Sequence, residues 1–176
     1  MEILNNYLSL VERVDELCLG ATKEFGAHIA CRAGCSGCCR HLSLFRVEAV
    51  ALARALNDLP AEQAARIREH AAQNLPGDPC PLLANGHCLL YAARPIICRT
   101  HGLPLLTRQE SGTRLIDFCP LNFQGLDSLP GSAIIDLDRL NTILAAINAL
   151  FVAELSEKSP SRKDRISISE ALRMVF

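Results

Sequence analysis

A mainly α fold, a helical bundle around a cysteine-rich metal centre with one or two short β-hairpins, is what this sequence predicts. Three observations lead there. Two amphipathic stretches, near residues 3–25 and 137–151, bracket a turn-rich middle. Eight of the nine cysteines fall in that middle. A chain of 176 residues can also bury a real core, so its cysteines are not needed as cross-links.

Ile3, Tyr7, Leu10, Val14, Leu17, Ala21 and Phe25 recur at steps of three and four, which sets them on one face of a helix over about 2–26. Cys18 lies at the edge of that face and reads as a small buried hydrophobe. Residues 46–57 read as a second helix with Val47, Val50, Ala51 and Ala55 turned inward, ended by Asp58 and Pro60. A third runs over about 61–74, stopped by Pro76 and Gly77, with Arg66, Arg68 and Glu69 on a solvated face.

The character then changes. Asn85-Gly86, between Leu82-Leu83 and Cys88-Leu89-Leu90, is a hairpin signal because both residues tolerate the positive φ of a tight turn, and it brings Cys80 and Cys88 together. Pro95 is pre-set for a first helical position and opens a short turn carrying Cys98. A second hairpin over 103–118, turning at Glu110, Ser111 and Gly112, delivers Cys119. After a loop at 125–132, Asp136 caps a fourth long helix with Leu137, Leu140, Leu144, Ile147 and Phe151 on one face, ending near Leu155. Residues 1–155 thus form one domain, with the cysteine region at about 31–120. Residues 156–176 are a polar linker and a short helix, boxed by Ser167 and Glu170, docked through Leu172, Val175 and Phe176.

Lys plus Arg number 18 against 19 Asp plus Glu, for a net charge of -1, so no global basic field recruits nucleic acid. The absence of Trp weakens base stacking further. The start, Met1-Glu2-Ile3, lacks the basic and apolar runs of an export signal, and the longest apolar run, 143–153, is broken by Asn148 and too short for a bilayer. The expectation is a cytoplasmic protein with no membrane attachment. There thiols stay reduced, and clustered cysteines point to metal or redox chemistry rather than disulfides.

CRAGCSGCCR, residues 31–40, sets four thiols among two glycines that let the chain turn and the sulfurs converge. Cys35 and Cys38 have the spacing that wraps one centre, whereas adjacent Cys38 and Cys39 direct one thiol to a different partner. A tetrahedral zinc takes four thiolates, and so does a cubane iron–sulfur cluster. Eight exceed either, which leaves a second metal, a polynuclear centre, free thiols or plain burial open. His41 and His87 read as surface or supporting groups, and His101, three residues past Cys98, is the histidine candidate for the site. Arg94 and Arg99 flank Cys98, and Arg32 and Arg40 flank the first cluster, where guanidinium groups would offset thiolate charge.

The CxxxCxxCC stretch followed by an apolar helix, then CPLLANGHCLLYAARPIICR, resembles the CxxCxxCC cysteine-cluster family of zinc or iron chelators, also called the YkgJ family, over roughly 31–120. The resemblance implies metal binding by Cys31, Cys35, Cys38, Cys39, Cys80, Cys88 and Cys98. Cys119 is similar to a later family cysteine, and Tyr91, Arg94, Pro95 and Arg99 match motif positions. The first gap, 32–34, has three residues where the family name implies two. Members are often labelled iron–sulfur oxidoreductases, and a related cluster occurs in flagellin lysine methylases, but the resemblance covers no methyl-donor domain.

Two functions follow. The first is an iron–sulfur protein, a 4Fe-4S cluster favoured, with a redox or electron-transfer role and with Tyr91, Arg94, Arg99 and His101 beside the cofactor. The second is a zinc-binding structural or interaction module without redox activity. The redox or protein partner is not identified by sequence. No GxGxxG, phosphate loop or serine elbow is present, and Asp136 and Asp138 read as helix-start carboxylates rather than catalysts.

Overall fold

Nearly every periodic stretch becomes a helix in the computed structural model, which describes residues 2–75, 77–156 and 165–174. A 3-10 turn at Glu2–Leu4 leads into α1 (Asn5–Phe25), which buries Tyr7, Leu10, Val14 and Ala21. Leu17, at the edge of that stripe, is exposed. α2 (Arg46–Asn57) has the expected bounds, and α3 (Ala61–Ala72) stops two residues early. The remaining helices are α4 (Ile96–Thr100), α5 (Leu137–Ser156) and α6 (Ile168–Ala171). The fold is mainly α, and among the described residues no helix is long and apolar enough to cross a membrane.

The strands are short: β1 (Ser43–Phe45), β2 (Leu83–Ala84), β3 (His87–Cys88), β4 (Leu105–Arg108), β5 (Arg114–Asp117), β6 (Ile135–Asp136) and β7 (Arg165–Ser167). The first expected hairpin is β2–β3, with Asn85 at φ 49° and Gly86 at φ 77°. The second is β4–β5. Two pairings go beyond local hairpins: β6 joins β4 in parallel, and β7 lies antiparallel to β1 with Leu44 opposite Ile166. Beyond that strand Ser167 and Glu170 form their capping box, and Leu172 is buried in contact with α2 and α3 residues of the second core. Most of the expected linker, 157–164, falls outside the described residues, as do Val175 and Phe176.

Two apolar cores result, and α2 serves both. Val47 faces the first, among Leu10 and Val14 of α1, Ile96, and Leu140, Leu144 and Phe151 of α5. Ala49, Leu52 and Leu56 face the second, among Ala64, Ile67, Leu82, Leu90, Ile166, Ile168 and Leu172. A helix with small and aliphatic residues around most of its circumference is stable only between two such layers. Asn148, which interrupts the apolar run of α5, accepts the Val47 N–H at 3.1 Å and so satisfies a free donor at the start of α2. Arg68, read from sequence as solvated, instead donates to the Leu172 carbonyl at 3.2 Å and to Asn57, fastening α6. Leu52 is 1% exposed. Leu52→Ala is therefore expected to lower stability by about 3 kcal/mol through lost burial and the void left behind, measured by urea denaturation.

Candidate metal centre

Three chain segments surround one cavity of about 480 Å³, and seven cysteines line it: Cys31, Cys35, Cys38, Cys39, Cys80, Cys88 and Cys98. Turns from Arg32 O to Cys35 N–H and from Ser36 O to Cys39 N–H fold the first segment. The Cys80 N–H donates to the Cys39 carbonyl at 3.2 Å, and Arg40 forms a bridge with Pro79, which ties the second segment to the first. The β2–β3 hairpin returns Cys88 towards Cys80, with Leu83 opposite Cys88. Its tip rests on the first segment: a Cβ on Gly86 would come 3.3 Å from the Gly34 Cα, so glycine is required there for the approach as well as for the turn.

α4 brings the third segment, and Glu48 of α2 sets its position. This carboxylate is only 4% exposed, yet it accepts the Ile96 N–H at 3.2 Å and the Phe45 N–H at 3.1 Å. It thus pins the start of the helix that carries Cys98 to the start of α2. Burial raises its pKa, against the two hydrogen bonds and Arg165, which lower it. A single charged residue between Val47 and Ala49 was the signal available in the sequence.

Burial also pushes the thiols up. Cys98 rises to about 12, with Cys80, Cys88, Cys39 and Glu48 adding to the effect of burial, and Cys80 rises to about 11 with contributions from Cys88 and Cys39. Cys39 and Cys88 are raised by burial too, but the Arg94 charge pulls both back. These thiols therefore keep their protons at neutral pH unless a cation replaces them.

Cys119 does not line the cavity, but it stands directly behind Cys31. A Cβ on Gly102 would lie 2.8 Å from the Cys31 Sγ and 3.8 Å from the Cys119 Cβ, so both cysteines flank one glycine. Asn122, 1% exposed, holds this corner. Its amide donates to the Cys31 Sγ at 3.3 Å and to the Gly102 carbonyl at 2.7 Å, and its oxygen accepts the Ala30 N–H at 2.8 Å. No local pattern in the sequence marks Asn122 for this role. Gly102 has φ +90°, so Gly102→Ala is expected to lower stability by about 1–2 kcal/mol and to displace the Cys31 thiol. Denaturation and the alkylation rate of Cys31 measure the two effects.

Arg94, Tyr91 and His101 line the cavity. The Arg94 guanidinium lies 3.6 Å from the Tyr91 ring centroid and its Nε donates to the Tyr91 carbonyl at 3.0 Å, while the ring itself is 62% exposed. Burial lowers the His101 pKa against Asp117. Arg99 lies outside the lining and faces α1 instead: it grips both Asp15 oxygens at 2.8 and 2.6 Å, and donates to the carbonyls of Ala92 and Arg94. His87 reaches the cavity wall, and His41 bonds Ser169 elsewhere. Cys18 packs against the first core and its Sγ lies 3.5 Å from the Arg99 carbonyl, away from the other thiols.

Sulfur donors with no carboxylate among the described lining residues suit a thiophilic metal. Among the described residues no group of three or more His, Cys, Asp or Glu side chains is arranged to hold a metal ion as it stands. No curated protein and no solved structure matches the chain significantly. A family model, CxxCxxCC, described as a putative zinc- or iron-chelating domain, matches residues 30–120, a span that contains these eight cysteines and leaves out Cys18. With more than half its length under that match, and with the cavity thiols inside it, the chain belongs to the CxxCxxCC family.

Proposed function

We propose that the cavity holds an iron–sulfur cluster, 4Fe-4S in the favoured form, and that the protein serves a redox or electron-transfer role in the cytoplasm with a partner protein. The observation behind this reading is that seven thiols and, among the described residues, no carboxylate line one shared space. A tetrahedral zinc takes four thiolates too, but it supplies no electron couple. A polynuclear cluster is held by thiolates, and when bound it supplies an electron couple tuned by charge, hydrogen bonds and exposure. On this reading four of the cavity cysteines are the ligands. Arg94 offsets thiolate charge at Cys39 and Cys88, and the Asn122 amide donates to the Cys31 sulfur.

Protein purified without oxygen tests the reading by its absorption spectrum together with iron and acid-labile sulfide analysis. A broad brown absorption with iron and sulfide in similar amounts supports it. A colourless protein with stoichiometric zinc overturns it, and leaves a zinc module whose role lies in a partner surface.

Metal uptake should also release protons. Cys80 and Cys98 titrate near 11 and 12, so at neutral pH the metal-free thiols are protonated and each must give up its proton to bind. Apparent affinity is thus expected to rise between pH 7 and about 11, by about tenfold per pH unit for each proton displaced. Competition with a chelator at two pH values within the lower part of that window measures it.

A further inference from the structure

We infer that the eight thiols are divided between two four-thiol centres, an inner one of Cys39, Cys80, Cys88 and Cys98 and an outer one of Cys31, Cys35, Cys38 and Cys119. This rests on the reading of the cavity as a metal site. It does not depend on which metal is native.

Backbone geometry gathers the inner set. Cys39 and Cys80 are joined by a main-chain hydrogen bond of 3.2 Å, the hairpin register returns Cys88 beside them, and α4, held by Glu48 through Ile96, supplies Cys98. All four side chains are at least partly buried. All four line the same cavity.

The outer set is assembled by different elements. Cys31 and Cys119 meet across Gly102, fixed by Asn122, and the turn that closes on the Cys35 N–H from the Arg32 carbonyl keeps Cys35 and Cys38 on the same cavity wall as Cys31. Cys31, Cys35 and Cys38 are exposed, whereas the inner thiols are not. Cys39 stands at the seam: its carbonyl accepts the Cys80 N–H, and it is half-buried where Cys38 is open. Adjacent residues thus serve opposite sides.

Ligand count favours the division. One tetrahedral ion or one cubane takes four thiolates, which would leave four further thiols protonated and idle around the same space. Two centres use all eight.

Cobalt(II) titration of the metal-stripped protein under argon reads the sites directly, because each tetrathiolate site gives intense sulfur-to-metal charge-transfer bands. The wild type is expected to saturate at two equivalents. Cys98→Ser and Cys119→Ser should each keep one tetrathiolate site, and Cys18→Ser should titrate as the wild type. Saturation of the wild type at one equivalent would overturn the division, as would loss of all tetrathiolate colour in both folded variants. Should either variant fail to fold, the wild-type stoichiometry alone decides. A zinc-only native protein would sink the iron–sulfur reading while leaving this count standing.

Discussion

Arg99→Ala is expected to lower stability by about 3 kcal/mol while leaving the thiol cavity's own lining intact. The guanidinium, with its side chain 8% exposed, makes a forked pair with Asp15 of α1 and donates to the carbonyls of Ala92 and Arg94. Asp15 is half in water and water can replace the donor at the exposed Ala92 carbonyl, so most of the loss comes from the buried Arg99 side chain itself, the part-buried Arg94 carbonyl and the clamp between α1 and the turn before α4. Arg99→Lys keeps the charge but not the fork, and should recover only a small part of the loss. Arg94→Gln is the contrast: it removes the charge that acts on Cys39 and Cys88, so metal affinity should fall with little change in the unfolding of the metal-free protein. Thermal unfolding and metal content, measured on all three variants, separate the clamp from the charge donor.

Glu48→Ala should cost about 3 kcal/mol as well, by leaving the Phe45 and Ile96 N–H groups without their acceptor in a site that water does not reach. Its second effect is on Cys98, since the first residue of α4 loses its anchor. Metal binding should weaken together with stability, which Leu52→Ala should not reproduce to the same degree. Glu48→Gln gives an intermediate loss, because one edge of the amide presents N–H groups to a backbone N–H. The pH dependence has a definite sign. A carboxyl whose folded pKa is raised stabilises the native state most at low pH, fully so below the ordinary value of 4.5, and loses that contribution as pH rises through the folded value. The stability gap between the wild type and Glu48→Gln should therefore narrow from acid towards neutral pH, as urea titrations at several pH values would show.

Periodicity made the helices legible. The stripe of α1 and the apolar face of α5 are local signals strong enough to survive into the structure, and Asn85-Gly86 could form little other than a tight turn. The pairing of β1 with β7 was not legible, because three-residue strands carry too little alternation to choose a partner more than a hundred residues away. Arg99 shows another limit. It is next to Cys98 in sequence, but successive residues on a helix point about 100° apart, so a thiol turned to the cavity sends its neighbour to α1. Asn122 lies beyond any local pattern: its meaning is set by Ala30, Cys31 and Gly102, which reach it only once the chain has closed. The cysteines were visible individually, whereas their grouping depended on the main-chain bond between Cys39 and Cys80 and on the glycine between Cys31 and Cys119.

The strap formed by Arg165–Ser167 on Ser43–Phe45 also orders events during synthesis. A nascent chain that has reached residue 120 already holds every cysteine, yet the segment leaving the first cysteine cluster still lacks its strand partner, and Leu44 lacks Ile166 and Ile168 as neighbours in the second core. Those contacts close only after about fifty further residues have emerged from the ribosome. Every thiol is thus present in the chain before the strand that locks the first segment exists, which leaves an interval in which metal can enter an open frame.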